Sequence, residues 1–361
     1  MSRRIAINTG GGDAPGLNAV IRAAVLAALN RGWQVCGIRK GYAGLLGEDA
    51  IVPLDRDTVR GITHLGGTIL GTTNRGNPFE WPTRLADGTP RAVDRSDEVI
   101  EAFHRHRFDA LIAIGGDGSL HIANELSKKG LPVVGVPKTI DNDLAATQVT
   151  FGFHTAVQTA SEALDKLHST AESHERAMVV ELMGRHTGWI ALFAGVSATA
   201  DVILIPEIPF SFEKVAEKVR ERDASGRRFS IVVVAEGAHP REGEASIVEA
   251  AAPGQAARYG GLAEHVAAEI AARTGKETRA LVLGHLQRGG SPIAYDRLVA
   301  LRFGAAAVRC VAEDSFGTMV ALDPPDVRAV PLEDAIRTLK VVPPESDIVQ
   351  TARDLGISFG D

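Results

Sequence analysis

Cysteine is scarce, with two in 361 residues. Cys36 lies in an apolar, strand-like run and Cys310 in a helix-like one, so each is expected to pack as a small hydrophobe and not to form a disulfide. Aromatic residues make up only 5% of the chain, and positive charge is not in excess: the formal net charge is −6. A net acidic chain is a poor partner for nucleic acid, whose phosphate backbone favours a basic face. No apolar run reaches the roughly 18 residues that a spanning helix needs, and the stretch between Arg4 and the first glycines is too short for the apolar core of a signal peptide. Neither nucleic acid nor membrane is therefore an expected partner, and the cytoplasm is the expected location. The glycine loops contain no GK[ST], and TGGGDAPG is not GxGxxG, which leaves a nicotinamide cofactor with little support.

What is present is a large core and a repeated grammar. Hydrophobic residues are 45% of the chain and charged ones 23%. Arg4–Asn8 reads as a short strand, TGGGDAPG as a loop, Leu17–Leu29 as a helix ended by Gly32, and Trp33–Ile38 as a second strand. The pattern returns with Asp109–Ile114, GGDGS, a helix from about Leu120 to Lys129, and a strand at Pro132–Val136. Two such units predict a parallel sheet covered by helices. Beyond them, AMVVELM, VILIPE, FSIVVVAEG and RALVLGH read as strands, with helical stretches at 186–198, 212–223 and 261–274, so a second α/β block is expected. The segments 77–95 and 243–261 read as surface insertions.

A glycine loop that runs from a strand into a helix leaves backbone N–H groups exposed where the helix dipole also favours an anion. Read alone, it is equally a tight turn. The loop GGDGS adds Asp117, whose single carboxylate beside a phosphate cradle suits Mg²⁺; the other reading is a helix cap, for which Ser119 is the better candidate. VPKTIDNDL then places Asp141 and Asp143 two residues apart, pointing the same way if the backbone is extended. Near a metal-bound phosphate, one carboxylate can accept a hydroxyl proton and the other can orient the sugar or help hold the metal, while Thr139 can donate to a transferring phosphoryl group. Asn142 could serve only as the turn residue. Arginines and histidines gather in SHER, MGRHTGW, ETR, GHLQRGGSP and YDR, and together with Glu236 they suit a phosphorylated polyol, the arginines taking its phosphate and the carboxylate a hydroxyl. His168, His174 and His186 read as supporting polar groups.

In order, GGGDAPGLNAVIR, GGTILGT, IGGDGS, PKTIDND, SHER, MGRHTGW, AEG, ETR and GHLQRGGSPIAYDR resemble the 6-phosphofructokinase family over residues 5 to 305. The resemblance implies two similar α/β domains with mainly parallel sheets. Residues 1–152 plus about 287–340 would bind the donor, residues 153–286 the sugar phosphate, with the tail 341–361 packing near the latter. It implies phosphoryl transfer from ATP to the 1-hydroxyl of fructose 6-phosphate, with Mg²⁺ on Asp117. Asp141 would be the general base, supported by Thr139, Asp143 and Arg185. Gly11, Asn74, Arg75, Gly116, Gly118 and Ser119 would contact the donor. Met183, Gly184, Arg185, Glu236, His285 and Arg288 would hold the sugar phosphate, together with Arg176 and Arg279 from a neighbouring subunit of a homotetramer.

Three features depart from the pattern. Arg75 is offset by one residue from the family arginine after the GGT motif. Leu26 stands where effector-regulated members carry arginine, so regulation by ADP or phosphoenolpyruvate is expected to be weak or absent. Gly118, as in ATP users, is combined with Lys138, as in pyrophosphate users. An aspartate at 118 would exclude ATP by bulk and charge whereas a lysine excludes neither donor, so Gly118 favours ATP. The rivals are a pyrophosphate-dependent phosphotransferase and a non-catalytic sugar-phosphate sensor.

Overall fold

The computed structural model describes residues 2–47, 50–73, 76–84, 90–241, 247–249 and 258–361. The strands are β1 (Arg4–Thr9), β2 (Gln34–Ile38), β3 (Ile51–Pro53), β4 (Trp81–Arg84), β5 (Pro90–Val93), β6 (Ala110–Gly115), β7 (Val133–Thr139), β8 (Phe151–Gly152), β9 (Ala177–Leu182), β10 (Val202–Leu204), β11 (Ser230–Ala235), β12 (Ile247–Glu249), β13 (Arg258–Tyr259), β14 (Thr278–Val282), β15 (Thr318–Asp323) and β16 (Asp326–Pro331). The helices are α1 (Leu17–Leu29), α2 (Ser96–Arg105), α3 (Asp117–Lys128), α4 (Phe153–His174), α5 (Trp189–Ser197), α6 (Phe212–Ala224), α7 (Leu262–Thr274), α8 (Ala294–Ala312), α9 (Leu332–Ile336) and α10 (Asp347–Asp354).

Two sheets organise the chain. The larger runs β16-β15-β7-β6-β1-β2-β3, with β8 beside the end of β7; the smaller runs β10-β11-β9-β14. Strands β1, β2, β6, β7 and the start of β15 are parallel, and β3 and β16 are antiparallel edges. All four strands of the smaller sheet are parallel. Strands β6, β7 and β11 are buried along their whole length, which is why they read as continuous apolar runs and not as alternating ones. Helix α1 turns Leu17, Val20, Ile21, Ala24 and Val25 inward at helical spacing, and Leu26 also packs against the core.

Each sheet reverses its strand order beside a central strand. The chain leaves β1 for β2 on one side and returns to β6 on the other; it leaves β9 for β10 and β11 and returns to β14. Ligands of such sheets sit where the loops leaving the carboxyl ends diverge at this reversal. Both cysteines are free and buried. The insertion 77–95 holds the hairpin β4-β5, and 243–261 holds the short pair β12-β13; residues 85–89, 243–246 and 250–257 of the two insertions lie outside the described residues. The tail runs along β10, where Ile203 N donates to Ser358 O at 2.9 Å. Among the described residues, no helix is long and apolar enough to cross a membrane.

Candidate active site

The two glycine loops leave β1 and β6, neighbours at the strand-order reversal of the larger sheet. Gly11 sits at φ +77°, a backbone that L side chains rarely adopt, and Gly10 N donates to Ile114 O at 2.9 Å. The helix after GGDGS begins three residues earlier than the sequence predicts. Gly116 takes the N-cap position, and Asp117, Gly118 and Ser119 form the first turn of α3. Ser119 is therefore not the cap. The small loop lets the chain enter the helix directly, and no side chain caps it, which leaves first-turn N–H groups facing outward for an anion. The Ser119 hydroxyl turns toward the first loop, 2.6 Å from where a side chain on Gly10 would begin.

Asp117 is likewise spared from capping. Its carboxylate lies 3.2 Å from His121 Nδ1, one helical turn on, and its side chain is 37% exposed. A side chain added at Gly118 would meet nothing within 4 Å, so the space beside Asp117 is open. Among the described residues no group of three or more His, Cys, Asp or Glu side chains could hold a metal by itself. One exposed carboxylate beside a phosphate cradle fits Mg²⁺, which usually takes one or two protein carboxylates plus substrate phosphate oxygens. Asn74 and Arg75 lie outside the described residues.

The TIDND segment begins on the last residue of β7 and then leaves the extended form. Asn142 is in the left-handed region at φ 52°, and its Oδ1 accepts from Thr150 N at 3.2 Å, so the chain doubles back. The simple alternation expected from sequence gives way to a turn, yet both carboxylates remain close enough to couple. Burial pushes the Asp143 carboxyl up to about 6, and the negative charge of Asp141 adds to this. Burial also raises Asp141, against the pull of Arg288 first and then of Arg185, Lys138 and His186. Asp141 Oδ1 is buried with no hydrogen-bond partner among the described residues. An orphaned carboxylate oxygen costs free energy unless a ligand meets it. Thr139 Oγ1 accepts from Asp141 N at 3.1 Å, and Thr187 Oγ1 donates to Asp141 O at 3.1 Å.

Lys138 is buried, and its ammonium bonds Gly12 O, tying β7 to the first loop. Burial brings it down to about 8, with the nearby Arg288 guanidinium acting in the same direction. Arg288 reaches over Gly12 and donates from Nη1 to Asp13 O at 3.2 Å.

The smaller sheet supplies the other wall. Met183, Gly184 and Arg185 leave β9, and Glu236 leaves its neighbour β11, with Glu236 N on Leu182 O at 2.9 Å. Gly237 is required here, because a Cβ would stand 1.9 Å from Arg185 O. Burial first, then Asp141, raise Glu236 to about 7. A carboxyl whose folded pKa lies above its ordinary 4.5 stabilises the fold when protonated; that contribution is complete below about 4.5 and is lost as pH rises through about 7. Glu236→Gln is therefore expected to raise the unfolding temperature at pH 8, by removing a cost on the order of 3 kcal/mol, and to do little at pH 4. Calorimetry at both pH values checks it.

Not every predicted sugar residue joins this wall. His285 is exposed at the rim. Arg176 and Arg279 lie at the opposite ends of β9 and β14, sharing Glu277 at 2.9 and 2.7 Å. A strand rises about 3.3 Å per residue, which puts Arg176 roughly 20 Å from Met183 along β9. Sequence reasoning missed Lys340 and Glu207. Lys340 Nζ donates to Asn142 Oδ1 at 2.9 Å, and Glu207 accepts from Gly188 N and Val342 N at 3.0 and 2.8 Å. Nothing in TLKVVPP sets that lysine apart from a surface residue.

Paired glycine cradles facing a coupled carboxylate pair, with arginines opposite, define a protein built to handle phosphorylated small molecules. A phosphofructokinase family profile matches residues 4–311, and the chain belongs to that family. It is 54% identical to an ATP-dependent 6-phosphofructokinase of Chloroflexus aggregans, over 99% of this chain and 98% of that one. It is 53% identical to a pyrophosphate--fructose 6-phosphate 1-phosphotransferase of Amycolatopsis methanolica, over 95% and 97%. Among solved structures it resembles Pichia pastoris phosphofructokinase in the T-state, with TM-score 0.80 and 31% identity; the match covers 99% of this chain and 37% of the yeast chain, so this chain spans well under half of that polypeptide.

Proposed function

We propose that the chain transfers a phosphoryl group from ATP to the 1-hydroxyl of fructose 6-phosphate, giving fructose 1,6-bisphosphate, with Asp141 as the general base. The observation that carries this is the Asp141 carboxylate, half-buried between the glycine loops and Arg185, with one oxygen unpartnered among the described residues. In its ionised form it accepts the hydroxyl proton as the oxygen attacks. Arg185 balances charge on the transferring group, Thr139 donates to it, and Asp143 supports the turn and the charge around it. The larger sheet serves the donor, through Gly11, Gly116, Gly118 and Ser119, and the smaller sheet serves the sugar phosphate. Asp117 would hold Mg²⁺, which when bound neutralises charge on the donor phosphates.

The choice of donor rests on one position. Identities of 54% and 53% to relatives named for the two donors do not separate them. Open space at Gly118 leaves room for the α-phosphate of a nucleotide. Lys138 is spent at least partly on Gly12 O, so its presence does not by itself demand pyrophosphate. Initial rates with ATP and with pyrophosphate, each at saturating fructose 6-phosphate and Mg²⁺, test the reading: turnover with ATP is expected, and turnover with pyrophosphate alone would overturn the choice.

The reading includes a shared site in a homotetramer working in the cytoplasm, where its charged substrates are retained. Strand β14 is a sheet edge with Leu281 and Val282 exposed, and Leu286, at 68% exposure, lies just beyond it, a surface suited to a second copy. Arg176 and Arg279, far from their own Asp141 but held together on Glu277, would both serve one neighbouring site. Mixing Asp141→Ala with Arg176→Ala subunits should then regain partial activity, since a hybrid can assemble one site with both an intact Asp141 and an intact arginine pair. Absence of recovery, with subunit exchange demonstrated by native mass spectrometry, would count against donation across subunits.

A further inference from the structure

Lys340 lies nearly two hundred residues from the turn that it holds. Its three ammonium hydrogens meet three oxygens: Asn142 Oδ1 at 2.9 Å, Thr147 O at 3.0 Å and Gln148 O at 3.0 Å. That exhausts the donors of a lysine. The backbone of the same residue is also engaged on both sides. Lys340 N donates to Asp143 O at 2.9 Å, and Lys340 O accepts from Trp189 Nε1 at 2.7 Å. Leu339 pairs with Leu144, and Val342 N reaches Glu207, which also accepts from Gly188 N. Residues 339–342 thus stitch the turn after β7, which belongs to the larger sheet, to the start of α5, which follows the MGRHTG loop of the smaller one.

The turn needs such a tie. Asn142 is held at positive φ, which costs a non-glycine residue on the order of 1 kcal/mol, and a loop that doubles back over Thr147 and Gln148 presents carbonyls that would otherwise converge unpaired. A tetrahedral ammonium suits three oxygens converging from different directions, whereas a planar guanidinium does not.

We propose that Lys340 is a positioning residue for phosphoryl transfer, its ammonium fixing the 142–148 turn so that Asp141 stands in register with the groups leaving β9. The proposal rests on the functional reading above. The Lys340 bonds go to the 142–148 turn and to Trp189, so its loss should slow turnover and leave substrate affinity alone. Misplacement of a reacting group by about 1 Å can cost on the order of 10² in rate.

The test is Lys340→Cys followed by alkylation with 2-bromoethylamine, which builds a near-isosteric ammonium side chain; the native cysteines are both buried, and the wild-type protein treated in parallel serves as the control. The expected results for Lys340→Cys are a kcat lower by roughly 10- to 100-fold, KM for both substrates little changed, faster amide hydrogen exchange at 142–150, and recovery of kcat and protection after alkylation. Lys340→Arg, which keeps the charge but not the geometry, should also lose kcat, and it stands in if the cysteine variant does not fold. An unchanged kcat, a change in KM alone, or complete alkylation without recovery would overturn the proposal. The exchange readout needs no substrate: unaltered protection in the variants sinks the clamp whatever the reaction, while a wild-type protein inactive with either donor refutes the functional reading separately.

Discussion

Asp141→Ala is expected to lower kcat by about 10²–10⁴-fold or more while KM for fructose 6-phosphate stays near its wild-type value. The carboxylate is needed only as the hydroxyl proton leaves; in the ground state the sugar phosphate is held by Arg185, Glu236 and Arg288. Removing the side chain also removes a negative charge that Arg288, Arg185, Lys138 and His186 now face together, so binding of an anionic sugar should weaken little and could tighten. Steady-state kinetics with both substrates varied, alongside equilibrium binding of fructose 6-phosphate, separate the two effects. A non-catalytic sensor predicts that Asp141→Ala keeps all of its function, so a kcat within tenfold of wild type would remove the base from its role.

Gly118→Asp should have the second large effect, and a selective one. The open space at Gly118 means that the new side chain meets no protein atom within 4 Å at its base, so the fold should tolerate it. The new carboxylate would project into the space proposed for the α-phosphate. Two like charges 4 Å apart at an effective dielectric constant near 20 repel by about 4 kcal/mol, which corresponds to roughly a thousandfold loss of kcat/KM for ATP. Pyrophosphate has no third phosphate to place there, so its use should be spared or gained. Equal losses with both donors, at an unchanged unfolding temperature, would show that Gly118 does not discriminate between them.

Some of this arrangement was legible before any coordinates. Short-range rules suffice for the strand, glycine loop and helix units, because backbone freedom at glycine and 3.6-residue periodicity are local properties. They locate the loops at Gly11 and Gly118, and they single out Asp117, Asp141 and Asp143 as chemistry-bearing groups. Local rules fail where the chain folds against remote segments. Ser119 reads as a helix cap, but α3 starts at Asp117 and the hydroxyl serves the other loop. Asp141 and Asp143 read as an extended pair, but Asn142 turns the backbone, held by a lysine far along the chain. The raised carboxyls at 143 and 236 arise first from burial, which no pattern of neighbouring residues records; the charge of Asp141 acts on both, and only its nearness to Asp143 can be read from the chain.

By itself the amino-acid order determined which elements form and which side chains end up at the carboxyl ends of strands, because periodicity and loop chemistry act over a few residues. Only the tertiary structure decided that Arg185, Glu236 and Arg288 would face Asp141, that Arg176 and Arg279 would meet on Glu277, and that Lys340 would close the turn. Those relations depend on the order in which strands join the two sheets. Burial and charge coupling act through space and fall off over a few ångströms, whatever the separation along the chain.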